Sequence, residues 1–127
     1  MGALMNMQLA TNEISIKNNF LPNGSFNLAP QIRRIIGQVD DTHASVEIRV
    51  EIRNTEEHPF PMDVTASMTG IFDMNNIEEK DRDTFLKIQS VQLILPHIRS
   101  LIASTTAAAL MTPLMLPIYD ARKLFPE

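Results

Sequence analysis

The stretch Leu93-Ile94-Leu95-Pro96-His97-Ile98-Arg99 runs on through Ser104-Thr105-Thr106-Ala107-Ala108-Ala109 and then into Thr112-Pro113-Leu114-Met115-Leu116-Pro117-Ile118-Tyr119. Its reading decides the second half of the fold. Ile88, Val91, Leu95, Ile98 and Ile102 recur at the spacing that lines one face of a helix. The pattern predicts a long helix beginning near Asn75-Asn76, with acids in its first turns to suit the dipole. Pro96 removes a main-chain donor and predicts a kink. Pro113 and Pro117 exclude helix and predict an extended connector, with a short final helix from about Tyr119. From Thr84 to Tyr119 there is no Asp or Glu, and only Lys87 and Arg99 are basic. A helix so poor in charge cannot face water on most sides, and the small residues from Ala103 to Ala109 permit close approach of another backbone. The expectation is burial against another copy of the chain rather than only in a monomer core. Ile98, Ile102, Thr105, Ala107 and Ala108 are the expected interface.

Before this helix the period changes from helical to two. Ala44, Val46, Ile48, Val50 and Ile52 alternate with Ser45, Glu47, Arg49, Glu51 and Arg53, a strand with one dry and one wet face. Met62, Val64, Ala66 and Met68 alternate with Asp63, Thr65, Ser67 and Thr69 in a second such strand, which ends in Gly70-Ile71-Phe72. Ile32 to Asp40 is a shorter strand. The first strand changes phase: Met5, Met7 and Leu9 are odd-numbered, Ile14 and Ile16 even, so one buried face requires a bulge near Thr11-Asn12. Pro22-Asn23-Gly24-Ser25 has the chemistry of a loop. The expected class is α+β: one domain over residues 1–127, with a four-stranded antiparallel sheet of meander type, a long Pro-kinked helix and a short C-terminal helix.

At 127 residues the chain is long enough for one real core, and its 44% hydrophobic and 20% charged content is ordinary for a globular domain. The net charge of −4 argues against nucleic acid as a partner. No apolar run reaches the roughly 18 residues of a membrane span. The residues from Met1 to Thr11 do not read as a secretion signal, so the cytoplasm is the expected location. There is no cysteine, hence no disulfide, thiolate zinc site or cysteine nucleophile.

Catalytic patterns are missing too. His43, His58 and His97 lack metal-ligand spacing, and the four glycines are scattered rather than gathered in a phosphate loop. Glu56-Glu57 and Glu78-Glu79 sit at a loop and a helix start, where solvated charge is the ordinary role. No enzyme activity and no cofactor are expected; the working part is surface. Eight methionines suit a surface that accepts many partners.

Taken in order, the Gly70-Ile71-Phe72 strand end, the Pro96 helix and the Pro113–Phe125 segment resemble the SecB family of bacterial protein-export chaperones. That family carries a Gly-Ile-Phe strand end, an apolar-Phe-Pro-Tyr-Ala-Arg helix and a Pro-x-Leu-x-Leu-x-Pro-Val-Asn-Phe segment leading into Asp-x-Leu-Phe. The resemblance runs from about Val46 to Phe125. It implies an ATP-independent holdase that binds unfolded preproteins in apolar grooves of a homotetramer, a dimer of dimers. It implies that Phe26, Phe60, Met62, Met68, Met115, Tyr119 and Phe125 line the client groove, with Met111 near it. It also implies docking of SecA on an acidic sheet face. Glu13 matches one acid there, a second aligns with Lys17, and the family's Leu-x-Glu pair aligns with Asp63 and Thr65. His97 takes the place of a helix tyrosine and is expected to pack. No tryptophan follows Phe26; Pro30 lies near that place. The long acidic tail of many members is not expected after Phe125-Pro126-Glu127. Two rival roles follow: a SecB-like chaperone dedicated to an antitoxin or other private client, or a carrier of a small apolar ligand.

Overall fold

Residues 7–22 and 24–126 are described by the structure, a computed structural model. Met5 of the first strand, Asn23 of the first loop and Glu127 lie outside the described residues. Strands β1 (Met7–Asn18), β2 (Gln31–Gln38), β3 (His43–Ile52) and β4 (Met62–Asp73) form one antiparallel sheet. Helix α1 (Glu79–Thr84), a π-helical turn (Phe85–Gln89) and α2 (Ser90–Ala108) follow without interruption, and α3 (Ala121–Leu124) is a single final turn. This is the expected class of sheet, long helix and short C-terminal helix.

The strand order is β1-β4-β3-β2, which corrects the meander. β2, β3 and β4 do form one, but β1 lies beside β4, as in a Greek key. The segment Asn19–Pro30 therefore leads from one edge of the sheet to the other. Alternation along a strand tells which face is dry but not which strand is the neighbour, so sequence pattern could not decide this. The phase change in β1 is met by a bulge. Thr11 pairs with Met68 and Glu13 with Ser67, leaving Asn12 as the extra residue. The bulge returns Ile14 and Ile16 to the face that Met7 and Leu9 occupy.

One face of the sheet carries the helices. Val46, Ile48 and Val50 of β3, Val64 and Ala66 of β4, and Val91, Ile94, Ile98 and Ile102 of α2 are all fully buried there. Burying each of the larger of these side chains contributes roughly 1.5–3 kcal/mol. The layers approach closely at Gly70. A Cβ at that position would stand 3.0 Å from the Phe72 ring and 3.2 Å from Ile94 Cδ1. Phe72 in turn meets Phe85 edge-to-face at 5.2 Å. The Gly70-Ile71-Phe72 strand end is thus a gap and the ring beside it, shaped for α2.

The helix starts later than the sequence predicts. Asn75 N–H bonds to Asp73 Oδ1 (2.9 Å) and Ile77 N–H to the Met74 carbonyl (3.1 Å), a turn that keeps Asn75-Asn76 out of the helix. Glu79 and Asp81 then occupy the first turn of α1, as the dipole favours. Pro96 lies inside α2. The π-helical turn precedes it by about two turns and has no sequence signature. There Arg34 Nη1, from edge strand β2, donates to the Lys87 carbonyl at 2.7 Å.

Candidate functional site

α2 ends in a Schellman motif: Leu110 N–H bonds to the Ala107 carbonyl and Met111 N–H to the Thr106 carbonyl. Leu110 holds the left-handed position, with φ 61°, where glycine is the usual occupant. Its side chain is 95% exposed. Beyond it the chain is extended and returns along α2 without joining the sheet. Leu114 N–H donates to Thr106 Oγ1 (2.9 Å), and Arg99 Nε donates to the Leu116 carbonyl (2.7 Å). Gln92 Nε2 donates to the Tyr119 carbonyl (3.1 Å) and its Oε1 accepts from Ala121 N–H (2.8 Å). Leu116 is buried by this arrangement, while Met115 and Ile118 point outward. Between α2 and the connector is a cleft of about 150 Å³, lined by Leu95, Pro96, Leu116 and Tyr119 among others. Burial there pushes the Tyr119 phenol above its ordinary pKa.

The structure divides the expected groove residues into two groups. Phe60, Met62 and Met68 face the core and are buried. Phe26, Tyr119 and Phe125 are half-buried, and Met115 is exposed, as the half-buried Met111 is not. Phe26 meets Phe60 edge-to-face at 6.4 Å, and the Arg34 guanidinium lies 4.5 Å over the Phe125 ring. Phe60, Tyr119 and Phe125 line separate clefts of about 100, 150 and 350 Å³. Sequence reasoning missed Phe20 and Ile118, each 85% exposed. Ile118 had a signal: it follows Pro117 in a segment with too many apolar residues for one buried side. Phe20 had none, since its exposure comes from a left-handed backbone (φ 50°) after Asn19 is tied to the β3–β4 loop.

On the opposite, polar face of the sheet the charges satisfy one another. Arg49 bridges Glu13 (3.2 Å) and Glu51 (3.0 Å), and Arg53 bonds to Glu51 (3.1 Å). Arg49 Nε–H above all holds the Glu51 carboxyl below its usual range. Asp63 accepts from Asn54 N–H (2.9 Å) and Asn19 Nδ2 (3.1 Å), and these two bonds lower its pKa. Thr65 is buried, with its hydroxyl accepting from Arg53 Nη2 at 2.6 Å. Lys17 pairs with Asp63 in the β1–β4 register and is exposed.

Of the residues expected between copies, Ile98 and Ile102 are buried against the sheet of the same chain, and Thr105 is half-buried. Ala107 and Ala108 are exposed, as are Leu93, His97 and Ser104 along the outer side of α2. His97, expected to pack, is exposed. Among the described residues no group of three or more His, Cys, Asp or Glu stands close enough to hold a metal ion, and no helix is long and apolar enough to cross a membrane.

Comparison with known proteins places this geometry. The family described as preprotein translocase subunit SecB matches residues 7–127. A protein-export protein SecB of Orientia tsutsugamushi (strain Boryong) is 27% identical over 81 residues, 64% of this chain and 51% of the relative. That of Rickettsia typhi is 25% identical over 120 residues, 89% of this chain and 79% of the relative. The chain thus spans about half the length of the Orientia protein that it matches. A Mycobacterium tuberculosis SecB-like chaperone, solved with a peptide from the HigA1 antitoxin, has a similar fold. Its TM-score is 0.72 at 13% identity, over 92% of this chain and 90% of that one.

Proposed function

The chain belongs to the SecB family, and from that premise we propose that it is an ATP-independent holdase for unfolded chains. The observation that carries the reading is the connector, where Met115 and Ile118 are held outward on an extended segment beside the half-buried Tyr119. An extended apolar surface of this kind matches an extended client. Each contact is weak, and several along one client add through effective concentration. The proposed site of action is the cytoplasm, where unfolded preproteins are met. The proposed assembly is a homotetramer, two dimers joined through the uncharged outer side of α2. Leu93, His97, Ala107 and Ala108 are available there, while Ile98 and Ile102 are already used in the protomer core.

The test is suppression of aggregation of a denatured protein, with and without SecA, and anisotropy of a labelled unfolded reporter. Met115→Asp, Tyr119→Ser and Phe125→Ser should weaken reporter binding singly and more so together. Unchanged binding by the folded triple variant refutes this placement of the groove. Met62 and Met68 are poor probes because a charge at either position enters the core.

Delivery to SecA and service to a private client are competing destinations. The private client is favoured by the sheet face. Glu13 is already paired with Arg49, Asp63 with Asn54 and Asn19, and Thr65 is covered, so part of this face's charge is answered within the chain and a basic partner gains less there. The antitoxin peptide on the Mycobacterium protein is an example of such a client in that protein. SecA docking on this face predicts that Lys17→Glu tightens binding and that added salt weakens it, because surface charges are screened over about 8 Å at physiological ionic strength. No change with Lys17→Glu leaves the private client as the reading.

A further inference from the structure

From Leu114 to Tyr119 the connector reads Leu-Met-Leu-Pro-Ile-Tyr, apolar in both phases. Neighbours in an extended chain point to opposite sides, so a slip of one residue would bury Met115 where Leu116 now sits. Leucine and methionine exchange at small cost in a core. At this position burial alone therefore scarcely chooses between the two registers. A directional interaction must do so.

That interaction comes from α2. Thr106, Arg99 and Gln92 are seven residues apart, close to two helical turns, and so follow one side of the helix at steps of roughly 10.5 Å. Each bonds to main chain of the connector, in the order Leu114, Leu116, then Tyr119 and Ala121. The connector thus runs antiparallel to the stripe. Thr106 is fully buried, and its hydroxyl donates to the carbonyls of Ile102 (2.8 Å) and Ala103 (3.1 Å) while accepting from Leu114 N–H. A slip that brought Pro113 to this point would offer no N–H at all. Gln92 uses both ends of its amide at once, on the Tyr119 carbonyl and the Ala121 N–H, and so clamps the far end of the connector to α2.

We propose that Thr106, Arg99 and Gln92 are positioning residues: Thr106, bonded to an N–H that a slip to Pro113 would lose, selects the register, Arg99 and Gln92 hold the connector against α2, and together they decide that Met115 faces the client. The inference rests on the reading of the connector as a client surface, but the register can be measured without a client.

The chain has no cysteine, so Met115→Cys and Leu116→Cys each introduce a single reporter thiol. In the otherwise unchanged chain the thiol at 115 should react much faster than that at 116. Adding Thr106→Val and Gln92→Ala should shrink the ratio of the two rates by roughly tenfold or more, since each lost hydrogen bond is worth up to about a factor of ten. Thr106→Ser, which keeps the hydroxyl, should restore the ratio. Cooperative melting establishes that each variant is folded. If Thr106→Val does not fold, Gln92→Ala alone, at an exposed position, carries the test. A ratio unchanged in the folded variants overturns the proposal. So does a collapsed ratio with unaltered reporter affinity when Met115→Asp does weaken binding. If Met115→Asp itself leaves affinity unchanged, the client reading fails, while the thiol ratio still judges the register.

Discussion

Gly70→Ala isolates the contact that joins sheet and helix. Two effects oppose each other at this site. Glycine inside a strand is less favourable than alanine by roughly 0.5–1 kcal/mol, because it loses more freedom on folding. Space argues the other way. The new Cβ would lie 3.0 and 3.1 Å from Phe72 ring carbons and 3.2 Å from Ile94 Cδ1. Unstrained carbon contacts are about 3.5–4.0 Å, so the neighbours must retreat by roughly half an ångström. Phe72 is fully buried and held edge-to-face on Phe85, so retreat there displaces a second ring. Overpacking of this kind costs about 1–3 kcal/mol. The net expectation is a loss of about 0.5–2 kcal/mol, which for a chain of this size lowers Tm by roughly 2–8 °C. Urea titration at constant m is the assay, repeated at several protein concentrations to separate folding from assembly. Ile94→Val removes the atom at 3.2 Å, so the double variant should be more stable than the two single losses predict. A neutral or stabilising Gly70→Ala, or strict additivity with Ile94→Val, refutes the close approach.

Further expectations concern assembly, acid and the helix end. Ala107→Glu, at an exposed position, should leave the protomer folded and yet break the larger assembly in sedimentation, since an unpaired charge in a dry interface costs several kcal/mol. An unchanged sedimentation coefficient removes this side of α2 from the interface. The N–H of Thr42 first, then the His43 ring, holds the Asp40 carboxyl down to about 2. A depressed carboxyl contributes stability above its ordinary value near 4, and that contribution is lost as pH falls toward about 2. The β2–β3 turn should therefore loosen across that window, and Asp40→Ala should remove the transition from amide exchange at Thr42 and His43. Leu110→Gly relieves a left-handed leucine and should stabilise the isolated protomer by up to about 1 kcal/mol in thermal melting.

The sequence by itself determined the elements and their faces. Alternation in His43–Arg53 and Met62–Thr69, the phase change at Asn12 and the helical spacing from Ile88 to Ile102 each record a local rule, because a side chain's direction depends only on its place in its own strand or helix. The three glycine-to-phenylalanine residues of the strand end and the prolines of the connector were readable for the same reason. Tertiary structure decided what depends on partners distant along the chain. β1 sits beside β4 because of cross-strand contacts that no alternation encodes. Met62 and Met68 lie in the core although methionine suits a surface equally well, and Glu13 is occupied by Arg49, 36 residues away. The register of the connector belongs here too. Its residues are apolar in both phases, and only the side chains of α2, brought alongside by the fold, choose between them.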